Sequence, residues 1–328
     1  MPTQSYSFGV LPRFLERTGT FHDFASVAVG NASEYGPLVT FLRADRASLQ
    51  IHKSLERPVR YQANKEIRDE LLTCMGVGKC GLGNTCLFLG FERGIAIVLN
   101  PHAFSILAAA EVPKQDPIRF IIQNDVTGDL CIVTDKHFYL SRDFSEKVTG
   151  AQYVQLDLKE YTISNAASAI LACNFVSFGS NGEVRLVIVF ASGRISLYST
   201  VEETFLQPAT DNSISIPLVG SKTLLTAAYI PSATEHLYLG TYDGVLYLIP
   251  YNTLTPEQLS YRHDGPISAI SGLGRSVYVG TLNGRIYFDG VLLSEDELNT
   301  ISCLLPLSFQ RPEVLVGTER WTVIHASS

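Results

Sequence analysis

Gly76 to Gly81 reads GVGKCG, matching the G-x-G-x-x-G spacing that cradles a pyrophosphate when it ends a strand and opens a helix. Here the segment runs on through Leu82-Gly83-Asn84 into the apolar stretch Cys86 to Leu89, so the pattern is not followed by a helix start. Lys79 also lacks the Ser or Thr that follows the lysine of a phosphate-binding loop. The segment is therefore expected to be a glycine-rich turn between two strands, and no cofactor is expected. Cys74, Cys80 and Cys86 recur every six residues. Structural zinc sites place their first pair two to four residues apart, so that both thiolates reach one ion. These cysteines read instead as small core hydrophobes, and no metal site is expected.

Nucleophilic catalysis needs a Ser or Cys activated by a positioned His and an orienting carboxylate. His263-Asp264 sets an imidazole beside a carboxylate, but no Gly-x-Ser-x-Gly elbow accompanies it. Its imidazole is expected to hydrogen-bond to neighbouring backbone or to a turn hydroxyl. The seven histidines are dispersed, without a His-x-His or His-x-x-x-His pair. Arg57, Arg60, Lys65 and Arg68 are the nearest approach to a basic patch, and Glu56, Glu66, Asp69 and Glu70 interleave with them. That mixture reads as a solvated face with local ion pairs. With a net charge of −7 over 328 residues, nucleic-acid binding is disfavoured.

The elements that position these residues must come from a folded chain, because 46% hydrophobic residues have to be buried. Only 17% are charged, against a usual ~25%, which suits a sheet-rich protein with few long exposed helices. The polar start Met1 to Val10 shows no basic and then apolar secretory pattern, and no stretch of about 18 apolar residues suggests membrane insertion. Six cysteines without disulfide-module spacing fit a reducing compartment, where the Asn31-Ala32-Ser33 glycosylation pattern is idle. The expected location is cytoplasmic.

A short phrase recurs along the chain: a β-prone apolar run, a tight turn that often carries Gly, then a second apolar run. Leu237 to Ile249 (LYLGTYDGVLYLI) and Val277 to Phe288 (VYVGTLNGRIYF) are the clearest copies. Asp243-Gly244 and Asn283-Gly284 are strong hairpin signals, since such turns need φ > 0. Further copies lie near 38–51, 86–99, 130–140, 186–198 and 314–325. Seven hairpins result, about 46 residues apart on average, a spacing that suits four-stranded repeats. An apolar run precedes each as an innermost strand: Phe24 to Val29, Leu71 to Val77, Pro117 to Gln123, Ala169 to Ser177, Leu224 to Ile230, Pro266 to Ile270 and Ile301 to Leu307. More polar stretches such as Glu257 to Arg262 suit outer strands. Helix is expected only between repeats, at Asn64 to Leu72, after Thr255-Pro256-Glu257, and at Ser294 to Asn299. The last hairpin ends near His325 without an outer strand, and Ser5 to Leu11 (SYSFGVL) is expected to supply it.

Over almost its whole length the chain resembles the WD40-like seven-bladed β-propellers. His263-Asp264-Gly265-Pro266-Ile267 is similar to that family's lead-in to an inner strand, while the Trp-Asp dipeptide is absent; Trp321 is followed by Thr322. The expected fold is all-β: one domain over 1–328, a seven-bladed propeller of four-stranded antiparallel blades, closed by the N-terminal strand joining the last blade. The resemblance implies a docking platform without catalysis, of the kind found in coat, tethering and ciliary transport subunits.

The turns between second and third strands are where recognition is expected, because loops vary while sheets stay rigid. They carry Phe91-Glu92-Arg93, Thr241-Tyr242-Asp243, Thr281-Leu282-Asn283 and Thr318-Glu319-Arg320. Phe91, Arg93, Tyr242, Leu282 and Arg320 are thus the candidate protein-binding residues, aromatic and Arg side chains being enriched in interface hot spots. The apolar ones could equally fold back to cap their own blades. The expected function is a non-enzymatic scaffold, monomeric by itself, docking a partner protein or peptide within a multiprotein complex. The alternatives are a propeller hydrolase or esterase acting at a central channel, whose dispersed site no linear motif would reveal, and the terminal propeller of a larger coat-like subunit.

Overall fold

The computed structural model describes residues 72–100, 105–150, 152–163, 168–178, 182–200, 224–231, 234–273, 276–293, 300–306, 313–317 and 321–325, with strands at 8–9, 21–27, 38–43, 48–52, 58–62 and 204–205. Among the described residues the chain is an all-β repeat of seven sheets. Sheet I comprises Phe21–Val27, Leu38–Arg43, Ser48–His52 and Pro58–Gln62. Sheet II comprises Leu72–Lys79, Thr85–Phe91, Ile95–Leu99 and Ile106–Glu111, with Val154–Gln155 added as a parallel fifth strand. Sheet III comprises Ile118–Gln123, Leu130–Thr134, His137–Ser141 and Lys159–Thr162. Sheet IV comprises Ile170–Phe178, Glu183–Phe190, Ile195–Ser199 and Thr204–Phe205. Sheet V comprises Leu225–Tyr229, His236–Thr241, Val245–Pro250 and Glu257–Arg262. Sheet VI comprises Ile267–Leu273, Ser276–Thr281, Ile286–Phe288 and Val291–Leu292. Sheet VII comprises Cys303–Pro306, Glu313–Gly317 and Trp321–His325, and Phe8–Gly9 pairs antiparallel with the last of these.

These sheets fall into two compact units, one of residues Arg13–Ala167 holding sheets I to III, the other of Met1–Pro12 and Ser168–Ser328 holding sheets IV to VII. The single closed seven-bladed propeller expected from the sequence is corrected by this arrangement. The sheets are separate and none closes on itself, and one has five strands with a parallel edge. The physical reason is that a hairpin phrase and its spacing specify how a sheet is made, not how successive sheets meet. A second correction concerns Thr255-Pro256-Glu257, where Glu257 begins the outer strand of sheet V instead of a helix. The helices expected at Asn64 to Leu72 and Ser294 to Asn299 lie outside the described residues, apart from Leu72, which opens the first strand of sheet II.

Each sheet is built by the same local devices. The first strand of sheets I to VI carries a register shift near its start, as between Leu72 and Cys74 or Leu225 and Ala227. A bulge of this kind increases twist and re-aims the residue it exposes. In three sheets that residue is a hydroxyl donating to a second-strand glycine carbonyl: Thr73 to Gly90 at 3.0 Å, Thr226 to Gly240 at 3.4 Å and Ser268 to Gly280 at 3.3 Å. Ser302, just before sheet VII, does the same to Gly317 at 3.0 Å. Thr73 and Thr226 also reach the next sheet, donating to the carbonyls of Ile118 and Ile267 at 2.6 Å.

The glycines are needed because the next sheet comes so close. A Cβ on Gly240 would lie 2.5 Å from Ile267 Cγ2, one on Gly280 2.5 Å from Ile301 Cγ2, and one on Gly90 2.7 Å from Ile118 Cγ2. The following Thr closes the hairpin turn. Thr241 Oγ1 donates to the Val245 carbonyl at 3.0 Å and accepts from the Val245 N–H at 2.9 Å, and Thr281 repeats both bonds with Arg285. Gly244 and Gly284 follow with φ of 81°, the left-handed region that glycine enters without strain. Among the described residues no helix is long and apolar enough to cross a membrane.

Candidate functional site

Sheets V and VI present their hairpin turns along one edge of the second unit. Tyr242 occupies the first turn position after the strand ending at Thr241, and its N–H donates to the Leu224 carbonyl at 2.9 Å. Leu282 holds the equivalent position in sheet VI, donating to the Pro266 carbonyl at 2.8 Å. Thr300, leading into sheet VII, donates through its hydroxyl to the Leu282 carbonyl at 3.1 Å. The backbone at these tips is thus fixed while the side chains point outward: Tyr242 and Leu224 are each 58% exposed and Leu282 41%.

Charged groups frame these apolar tips. Arg262 donates through Nε to the Asp243 carbonyl at 2.9 Å, its guanidinium 3.5 Å from the Asp243 carboxylate. Arg285 is ion-paired with Asp264. Beneath them His263 is buried, its Nδ1 bonded to the Gly244 carbonyl at 3.1 Å and its ring edge-on to Tyr261 and Tyr287. The Tyr287 hydroxyl accepts from the Asp264 N–H at 3.0 Å. Burial holds the His263 pKa below its ordinary value, partly offset by that carbonyl. The His263-Asp264 pair therefore anchors a turn: the imidazole binds backbone and the carboxylate binds Arg285.

The five sequence-predicted residues separate in space. Tyr242 and Leu282 hold equivalent, exposed turn positions in sheets V and VI. Phe91 is the last residue of its strand and packs with Leu72, Leu87 and Leu89 in the core of the other unit. Arg93 is exposed in that same unit, and Arg320 lies outside the described residues. Leu224 was not selected from sequence, because nothing about its own segment places it beside Tyr242.

The first unit holds a polar cluster that linear motifs also missed. Lys114 Nζ lies 2.8 Å from His137 Nε2 and 2.5 Å from Glu160 Oε1, and Asp116 is 3.7 Å from His137 Nδ1. Lys114 donates to both, which makes Nε2 an acceptor, and the lysine holds the Glu160 carboxyl below its usual value. Among the described residues no Ser, Thr or Cys side chain hydrogen-bonds the His137 ring, and the cluster ties the connection holding Lys114 and Asp116 to two strands of sheet III. The GVGKCG segment is equally structural in its glycines: a Cβ on Gly76 would strike the Ile121 carbonyl, and one on Gly81 would lie 2.6 Å from Thr149 Cα. Its Lys79 exchanges two backbone bonds with the Gln123 amide, at 2.6 and 2.7 Å.

No family model matches the chain, and no curated protein matches it. Solved structures do. A computationally designed protein, Ika8, superposes with a TM-score of 0.60 at 15% identity, covering 94% of this chain and 97% of its own. The extracellular domain of the putative one-component system BT4673 from B. thetaiotaomicron superposes with a TM-score of 0.61 at 15% identity, covering 98% of this chain and 40% of its own. At that identity the likeness is one of fold alone.

Proposed function

We propose that the chain is a non-enzymatic docking module, binding a partner protein or peptide on the edge formed by Leu224, Tyr242 and Leu282. The observation that carries this reading is the exposure of three large apolar side chains on backbone fixed by hydrogen bonds, flanked by Arg262 and Arg285. Rigid aromatic and aliphatic anchors with Arg neighbours are the composition of interface hot spots, and an exposed apolar cluster costs solubility unless something covers it. The resemblance of His263 to Ile267 to the lead-in of WD40-like repeats supports the same reading, since such repeats serve as scaffolds in multiprotein complexes. In this reading the module works inside the cell and is monomeric by itself; six cysteines without a disulfide accord with a reducing compartment.

The test is affinity purification of the wild type beside the double variant Tyr242→Ser/Leu282→Ser, with co-purifying proteins identified by mass spectrometry. Both positions are exposed, so stability is expected to change by no more than about 0.5 kcal/mol. Loss of a partner from an otherwise normally folded variant is expected. Retention of every partner would remove this edge from the account.

A further inference from the structure

Cys80 and Cys86 are brought together by the turn between the first two strands of sheet II. The ladder pairs Gly78 with Cys86 and Lys79 with Thr85, and the Cys80 N–H then donates to the Asn84 carbonyl at 2.8 Å. Cys80 therefore stands diagonally across from Cys86 on one face of the hairpin, and both thiols are buried in the same cluster with Phe88, Phe144 and Val148. Diagonal neighbours of this kind lie within side-chain reach. In its protonated form Cys80 also donates to the Asn84 carbonyl, Sγ to O 3.3 Å.

Both residues are buried, Cys80 at 3% and Cys86 at 0% exposure, and Cys80 is the one that borders a cleft. Cys80 lines a half-open cleft of about 340 Å³ whose walls include Lys79, Gln123, Asn124, Ser145 and Glu146. The cleft is polar and roomy enough for a small molecule. Asn124, itself 1% exposed, has a buried Nδ2 with no hydrogen-bond partner among the described residues. An unsatisfied donor in such a wall is costly, and a polar guest or water would relieve it. Cys86 is not among the residues lining the cleft and is fully buried.

We propose that Cys80 and Cys86 are a redox-active dithiol, Cys80 being the site at which a small hydroperoxide entering the cleft is reduced and Cys86 the thiol that closes the disulfide. The Cys80 thiolate attacks the terminal oxygen of R–O–O–H, and the S–O bond forms as the O–O bond breaks. The alkoxide leaves with a proton from solvent. Sulfur is oxidised by two electrons to sulfenic acid while the peroxide is reduced. Cys86 sulfur then attacks the sulfenic sulfur, the S–S bond forms, and the hydroxyl leaves as water with the Cys86 proton. Electrostatics favour this order of roles. The Cys86 thiol donates to Cys80 and lowers its pKa to about 7, whereas hydrogen bonding to Cys80 and burial push Cys86 up. Burial likewise pushes up Cys173.

Both cysteines fall in one tryptic peptide, residues 80 to 93. Brief exposure of the folded chain to hydrogen peroxide is expected to remove two hydrogens from that peptide's mass, and dithiothreitol to restore them. In Cys86→Ser, dimedone is expected to trap Cys80 as the sulfenic acid adduct; in Cys80→Ser neither product should form. Independently of any variant, iodoacetamide at neutral pH is expected to alkylate Cys80 about tenfold or more faster than Cys173 in the native wild type. Peroxide that leaves peptide 80 to 93 unchanged, or alkylation of Cys80 no faster than of Cys173, would overturn the proposal.

Discussion

Small polar contacts at single residues decide whether each hairpin turn holds. Thr241 is fully buried and its hydroxyl both donates to and accepts from Val245 across the turn. Thr241→Val keeps the shape but orphans two backbone groups, at an expected cost of about 1–3 kcal/mol in chemical denaturation. Thr241→Ser should recover most of it, and an unchanged midpoint in the Val variant would deny the hydroxyl this role. His263 gives a pH signature. It faces Tyr261, Tyr287 and the Gly244 carbonyl, with Asp264 next in sequence, and its pKa is lowered by burial. The unfolded chain then binds a proton at a pH where the native state does not. Its contribution to stability is therefore complete above about 6.5, the unfolded value, and declines as pH falls from there toward the folded value. His263→Asn should flatten the pH dependence of unfolding between pH 7.5 and 5.5 relative to wild type. An equally steep slope in the variant would assign that dependence to other groups.

Strands and turns show how far local sequence reaches. The hairpin phrase was readable because alternation and a Gly at positive φ are properties of adjacent residues. All seven innermost runs read from the sequence contribute first strands of sheets. The reason for the Gly before the turn was not readable: Gly240 and Gly280 make room for Ile267 and Ile301, some 20 residues or more downstream. Gly280→Ala would push a methyl against Ile301 Cγ2, and a loss of about 1–3 kcal/mol is expected, with Ile301→Val relieving part of it. Additive effects of the two changes would separate them. Phe91 shows how a shift of one position misleads. It aligns with Thr241, the buried end of its strand, and Glu92 aligns with the exposed Tyr242. Phe91 is the last buried residue of its strand and Glu92 the first exposed residue of the turn, so one position decides exposure. The thiol pair was hidden likewise, since a spacing of six becomes a contact only once the ladder register is known.

The chain is divided into two units that the repeat spacing does not foretell, and within each unit sheets are joined by repeated close approach. How the sheets join depends on contacts between first strands far apart in sequence, and the hairpin phrase carries no record of them. The candidate binding edge was legible only in part: Tyr242 and Leu282 stood out as unusual turn residues, while their neighbour Leu224 became visible once a backbone bond joined it to Tyr242. The reading of this edge as the partner's seat is tested most directly by a photo-crosslinking amino acid placed at position 242, at position 282, and at the equally exposed Tyr153 of the other unit, each in the full chain within its native cells. Crosslinks from 242 and 282 to one shared protein, absent from 153, are the expected result. Crosslinking to a partner from 153 alone, with 242 and 282 meeting only solvent, would contradict it.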